Sequence, residues 1–317
     1  MTETAVKAEV LKTEIPINAP EPLPFPFNQR TFCRYEPIEK RIKTVRVLVV
    51  NDLLRYEEDL SDLARHEWNG TMETKLKFER KISGMACENI MKNVWRLVEK
   101  PKTLLVHLSE VADAAEAFRP DAIVMSGTLT DFDYYNPAHL EKFAKFIQTT
   151  EIPVLGICGA HQLIGQSFGA KLTTLDNLNP AEKRSGRVVE YQYRFVRITE
   201  PDDPIFDGIT DDESGVWQDY TKEANILRVW QNHGLQVVGF PADFKQLATA
   251  YLCKNQMMVK RSGNQMIYTV QFHLEKSFED WNKNRTRWEH QNESRDGRIL
   301  FENFLQLALE HRKSLAN

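Results

Sequence analysis

Ile152-Pro153-Val154-Leu155-Gly156-Ile157-Cys158-Gly159-Ala160-His161-Gln162 reads as a buried strand, a sharp turn and the opening of a helix. The apolar run ends at Gly156, and helical character continues from His161 to Phe168. Gly156, Gly159 and Ala160 are small enough for strand and helix to approach closely, so a thiol at the turn stands clear of the backbone. A helix starting there also points unpaired N–H groups and the positive end of its dipole at the sulfur, favouring thiolate over thiol. The stretch is a nucleophile elbow built on cysteine.

Working outward, the strand at the elbow is one of a series. Val45 to Asp52 reads as the first buried strand, Leu104 to Leu108 as a short second one and Asp121 to Met125 as a third. Helical patterns are predicted over Leu53–Trp68, Ile82–Val98, Val111–Phe118 and Pro137–Thr149, with Gly70-Thr71 and Ser83-Gly84 as breakers. Strands alternating with helices predict an α/β fold: a doubly wound, mostly parallel sheet flanked by helices, with ligands beyond the carboxyl ends of the strands. The second half changes character. Arg187–Ile198, Ile226–Trp230, Gln246–Cys253, Met257–Lys260 and Met266–Phe272 read as strands added antiparallel to the same sheet, before a helix over Ile299–His311.

One of those strands supplies a proton acceptor. His273 and Glu275 leave the end of Met266–Phe272 two residues apart, and in extended chain alternate residues share a face. Glu275 can therefore hydrogen-bond one imidazole nitrogen and leave the other for Cys158, the nucleophile, base and orienter arrangement of acyl-transfer enzymes. A lone buried cysteine is usually an inert small hydrophobe. The joint occurrence of the two contexts is what carries the catalytic reading.

Those residues resemble the class I, or triad-type, glutamine amidotransferases. Gly156, Cys158 and Gln162 match that family's Gly-x-Cys-x-Gly-x-Gln, and His273 and Glu275 match its Phe-His-Pro-Glu. Asp121-Ala122-Ile123-Val124-Met125-Ser126-Gly127 is similar to the strand entering its oxyanion loop, Val229-Trp230-Gln231-Asn232-His233-Gly234 to an Asn/Ser-His-Gly segment, and Pro204 to Ile209 to a Pro-Leu-Phe-x-Gly-Leu stretch. The resemblance implies a flavodoxin-like fold and hydrolysis of the glutamine side-chain amide through a cysteinyl thioester. It also implies an oxyanion hole at Gly127, Thr128 and Gly159, and substrate contacts at Gln162, Asn232 and His233. Three departures stand out: Gly159 where the family usually has leucine, Ala160 where it has glycine, and Leu274 where it has proline. Ser126-Gly127-Thr128-Leu129 keeps one glycine of the usual pair. For His161, packing at the helix start is the expectation.

Composition sets limits. The 317 residues carry 42% hydrophobic content and a formal net charge of −4, which leaves no basic footprint for nucleic acid. No apolar run approaches the ~18–20 residues needed to cross a membrane. The polar opening Met1-Thr2-Glu3-Thr4 lacks a secretory pattern, so a cytoplasmic location is expected. Cys33, Cys87, Cys158 and Cys253 show no CxxC spacing and no clustering with histidine, so neither a disulfide nor a metal or other cofactor is expected. Residues 1–44 read as a Pro-rich extension, either a flexible arm or a strap, with one domain over 45–317. Trp281–Arg295 reads as a polar loop. Three roles follow: a glutaminase supplying ammonia to a separate synthase, a stand-alone hydrolase of another γ-glutamyl amide, or a non-enzymatic interaction protein. Intact Cys158, His273 and Glu275 argue against the last.

Overall fold

The computed structural model describes residues 39–209, 225–276 and 295–316. The first strands come from runs of β-branched and aliphatic residues: β1 (Ile42–Asn51), β2 (Val98–His107), β3 (Ala122–Met125) and β4 (Val154–Ile157). With β11 (Gln265–Val270) they form a parallel half-sheet in the order β2-β1-β3-β4-β11. The antiparallel continuation runs β10 (Met257–Ser262), β9 (Phe244–Thr249), β6 (Glu190–Ile198) and β7 (Ile226–His233). This is the expected fold class.

Both faces of β3, β4 and β11 are buried, which is why they read as continuous apolar runs, whereas the edge strand β2 is exposed or half-buried over most of its length. Side chains alternate across the sheet. Val45, Val47, Val49, Val124, Leu155, Tyr268 and Val270 meet one core, built with Ile90, Val94 and Leu97 of α2 (Met72–Leu97) and Leu300, Phe301 and Phe304 of the last helix. Leu48, Val50, Ile123, Met125, Val154 and Ile267 meet the other. That second core is closed by α1 (Asp62–Glu67), α3 (Val111–Phe118), α4 (Pro137–Thr149) and α5 (Gly159–Ser167). The last helix, α6, spans Arg295–Ala316.

Several sequence-based boundaries need correction. The helix expected over Leu53–Trp68 shrinks to a 3-10 turn at Glu57–Asp59 and the short α1, because Asp59 accepts the backbone N–H of Arg55 at 2.9 Å and bends the chain there. Ser83-Gly84 does not break α2. The helix runs through it, since Leu76, Cys87, Ile90 and Val94 lie buried along its length on both sides of that dipeptide. Strand β2 starts six residues before the expected Leu104, extending an edge that pairs with β1 from Ile42 onward. A two-stranded ribbon, β5 (Lys171–Thr174) with β8 (Leu235–Val238), was not expected. Its four-residue strands are too short to show a period. The expected loop at Trp281–Arg295 lies outside the described residues except for Arg295, which opens α6.

Register is what builds the site. Gly156 pairs with Met125 of β3 on one side and Thr269 of β11 on the other, and Ile157 pairs with Val270. Three adjacent parallel strands therefore end side by side, delivering Ser126-Gly127-Thr128, Cys158 and Gln271-Phe272-His273 to one edge. The antiparallel strands return to the same edge, because Trp230 of β7 pairs with His273.

Candidate active site

Cys158 leaves β4 at φ 52° and ψ −103°, a left-handed geometry that a residue with a side chain adopts only at a cost of roughly 1–3 kcal/mol. Its N–H is tied to the Val270 carbonyl at 2.7 Å, so β11 holds the turn in place. Helix α5 begins at once and folds back tightly over the strand. A Cβ on Gly156 would lie 2.7 Å from Ile164 Cδ1 and 3.3 Å from the Ala160 carbonyl carbon, so a larger residue would push Ile164 aside and press on the helix backbone.

The expected base and orienter converge on this turn. The backbone N–H of His273 donates to the Trp230 carbonyl at 2.8 Å, and its Nδ1 meets Glu275 Oε1 at 2.7 Å. Glu275 is buried, and Asn93 of α2 donates its side-chain amide to the Glu275 carbonyl at 2.8 Å. The ring lies beside Cys158, since one point above Gly127 is 3.3 Å from both Cys158 Cβ and His273 Cε1. Burial alone would pull the His273 ring down. The neighbouring Glu275 and Cys158 charges and their hydrogen bonds reverse this and lift it to about 10. For Glu275 the order is the same: burial pushes its carboxyl up, and attraction to His273 more than offsets that, leaving it below the usual range. The ring therefore holds its proton at neutral pH.

The loop after β3 lies against both groups. A Cβ on Gly127 would sit 3.3 Å from Cys158 Cβ and from His273 Cε1. A Cβ on Gly159 would sit 2.1 Å from Thr128 Oγ1, 2.4 Å from Thr128 N and 2.6 Å from Thr128 Cβ. Thr128 thus fills the space that a side chain at 159 would take. Among the described residues the N–H groups of Gly127, Thr128 and Gly159 find no acceptor. Gly127 and Thr128 line the same cavity as Cys158, and backbone donors there are of the kind that an oxyanion requires.

Gln162, Asn232 and His233 line a cavity of about 230 Å³ with Gly127, Thr128, Cys158 and His273. That is below the ~300–1,000 Å³ typical of drug-sized ligands and suits a molecule of amino-acid size. Asn232 turns its carbonyl toward the Cys158 sulfur at 4.0 Å. His233 is held from behind, by the Leu235 carbonyl at 2.9 Å and Glu190 Oε2 at 3.0 Å. At the mouth, Arg187 grips both oxygens of Asp131, at 2.8 and 2.5 Å.

Two contacts were missed by sequence reasoning, the Asn93 clamp on Glu275 and one on the sulfur itself. Gln271, fully buried, donates its Nε2 to the Cys158 sulfur at 3.7 Å, and Gln162 Nε2 donates to Gln271 Oε1 at 3.1 Å. The signal was available: a polar residue at the end of a buried strand, two positions before the histidine.

The family model "Glutamine amidotransferase class-I" matches residues 87–290. The chain belongs to this family. A GMP synthase (glutamine-hydrolyzing) subunit from Pyrococcus abyssi is 31% identical over 160 residues, covering 50% of this chain and 69% of that protein. Its counterpart in Methanococcoides burtonii is 27% identical over 199 residues, 62% of this chain and 85% of that one. A Thermoplasma acidophilum crystal structure, provisionally described as the same GMP synthase subunit, aligns at TM-score 0.52 and 20% identity. That alignment covers 86% of this class-I glutamine amidotransferase and 98% of the other chain, a likeness of fold.

Elsewhere in this amidotransferase, one expectation is corrected. Cysteine and histidine do cluster in space: Glu190, His233 and Cys253 bring ligand atoms within 4.8 Å of one another in the core. Sequence separations of 20 and 43 residues hid this, and β6, β7 and the turn before β10 close it. Its hydrogen bonds are complete without an ion, since Cys253 donates to the Asn255 carbonyl at 3.4 Å and Gln256 donates to Glu190 at 2.7 Å. His161 is fully buried, with Nδ1 on Thr269 Oγ1 at 2.7 Å, and burial first, then His233, pull it down to about 3. Burial pushes the Cys87 thiol up to about 12 and the Cys253 thiol higher still. Among the described residues no helix is long and apolar enough to cross a membrane.

Proposed function

We propose that the chain hydrolyses the side-chain amide of glutamine at Cys158 and passes the ammonia to a separate synthase. The reading is carried by one observation, the convergence of Cys158, the His273–Glu275 pair and three open N–H donors where β3, β4 and β11 end side by side. The relatives named as glutamine-hydrolyzing GMP synthase subunits support a synthase as the acceptor.

The Cys158 sulfur attacks the γ-carbonyl carbon, and the developing oxyanion is held by N–H groups of Gly127, Thr128 and Gly159. His273, already protonated, gives its proton to the leaving nitrogen as the C–N bond breaks. A γ-glutamyl thioester and ammonia result. Neutral His273 then takes a proton from water as the water oxygen attacks the thioester, the C–S bond breaks, and glutamate departs. Glu275 steadies the ring throughout by its 2.7 Å bond to Nδ1. Gln162, Asn232 and His233 shape the wall that receives the amide.

A second reading, a stand-alone hydrolase of a substituted γ-glutamyl amide, draws support from the apolar lining of the cavity, where Leu53, Ile82, Ala86 and Val189 face the site. Glutamate and ammonia release from glutamine by wild type and Cys158→Ser, with and without a co-purified synthase, tests both. Synthase-dependent release that vanishes in Cys158→Ser supports the first reading. Faster turnover of an N-alkyl γ-glutamyl amide than of glutamine by the chain alone would replace it with the second.

A further inference from the structure

The amide of Gln271 has its orientation dictated by its neighbours. Leu235 contributes a carbonyl, which only accepts, so the Gln162 atom 3.3 Å from it is the NH2 group. That same nitrogen lies 3.1 Å from the Gln271 side chain, whose facing atom is therefore the oxygen. The remaining Gln271 atom, 3.7 Å from the Cys158 sulfur, is then the NH2 group. Gln271 and Gln162 are buried, and the Gln271 backbone N–H is fixed by the Gln256 carbonyl at 2.8 Å. Turning Gln271 would set its NH2 group against that of Gln162, and turning Gln162 would set its oxygen against the Leu235 carbonyl.

We propose that Gln271 is a positioning residue for the nucleophile: a side-chain N–H held on the Cys158 sulfur by a relay from the Leu235 carbonyl through Gln162, stabilising the sulfur's negative charge. The inference rests on the reading of Cys158 as nucleophile. It gives Gln162 a role behind the sulfur in addition to the substrate contact implied by the family motif. The charged and titratable groups around the sulfur are His273 with Glu275 behind it, His233, Cys253, and the Asp131–Arg187 pair at the mouth. None of them is altered by substituting Gln271 or Gln162, which are neutral.

Iodoacetamide alkylation of the full chain, read at the Cys158 peptide by mass spectrometry from pH 5 to 10, tests this without requiring turnover of glutamine. A hydrogen bond to a charged acceptor is worth roughly 1.5–3 kcal/mol. Gln271→Leu is accordingly expected to move the alkylation profile to higher pH by about one unit or more and to slow labelling at pH 7 about ten-fold. Gln162→Met, which leaves Gln271 in place but frees its amide to turn, shifts the profile the same way by less. Unchanged profiles in folded variants overturn the inference, and if Gln271→Leu does not fold, Gln162→Met alone decides. A shifted profile in a chain that releases no ammonia from glutamine would keep the inference and refute the proposed substrate.

Discussion

Gly159→Ala is the sharpest test of the oxyanion geometry. The added methyl would lie 2.1 Å from Thr128 Oγ1, 2.4 Å from Thr128 N and 2.6 Å from Thr128 Cβ, where real Cβ atoms essentially never come closer than 3.0 Å. Rotating Thr128 about χ1 relieves only the hydroxyl. The backbone nitrogen still has to retreat by about 0.6 Å to reach that 3.0 Å limit, and it carries one of the three open N–H groups. A misplacement near 1 Å costs about 10²-fold, and loss of one oxyanion donor about 10²–10³-fold in kcat, roughly 2.7–4 kcal/mol. Glutaminase kinetics should therefore show kcat down about 100-fold or more with little change in KM. Cys158 alkylation by iodoacetamide, which needs no oxyanion hole, should stay near wild type. Adding Thr128→Gly removes two of the three clashes and should recover about ten-fold. A Gly159→Ala enzyme within a factor of two of wild type would refute the placement of the hole at Thr128 and Gly159.

Three further outcomes follow from the packing and charges. Asn93→Leu removes the clamp on the Glu275 carbonyl and leaves a buried acceptor unpaired, so unfolding free energy should fall by about 1–3 kcal/mol in denaturant melts, with kcat lowered as Glu275 loosens. Asp52 is fully buried, neither of its carboxylate oxygens has a partner among the described residues, and burial raises its carboxyl well above the usual range. The folded state thus binds its proton more tightly than the unfolded chain, and stability is lost as pH rises above the ordinary aspartate value. Asp52→Asn should flatten that fall, giving a larger gain in melting temperature at pH 8 than at pH 4. Glu275→Gln removes the partner that helps raise His273 to about 10, a contribution fully present below the ordinary histidine value and lost as pH climbs through 10. Its destabilisation in chemical melts should be large at pH 6 and shrink toward pH 10.

Much of this was legible before any coordinates. The elbow was written in small residues around Cys158, and the alternation of His273 and Glu275 placed both on one face of an extended chain. Their meeting was not written locally, because it depends on β11 inserting beside β4, a contact between residues more than 100 positions apart. Breakers misled for a physical reason: Ser83-Gly84 disfavours a helix only by about 1 kcal/mol, and burial of the apolar stripe of α2 outweighs it. The ribbon of β5 and β8 was invisible because Lys171-Leu172-Thr173-Thr174 is too short for a pattern. Gln271 and Asn93 were missed because neutral amides declare their role only through what they touch.

The twisted backbone at position 158 bears on evolutionary history as well as on mechanism. Glycine would adopt φ 52° there without steric penalty, so keeping a side chain at this corner carries a backbone strain that glycine would not. A lineage that had abandoned chemistry and kept the scaffold for docking alone would be free to drift to glycine. Under the proposed mechanism, the sulfur mounted on that corner is the one thing a scaffold kept for docking alone would have no use for.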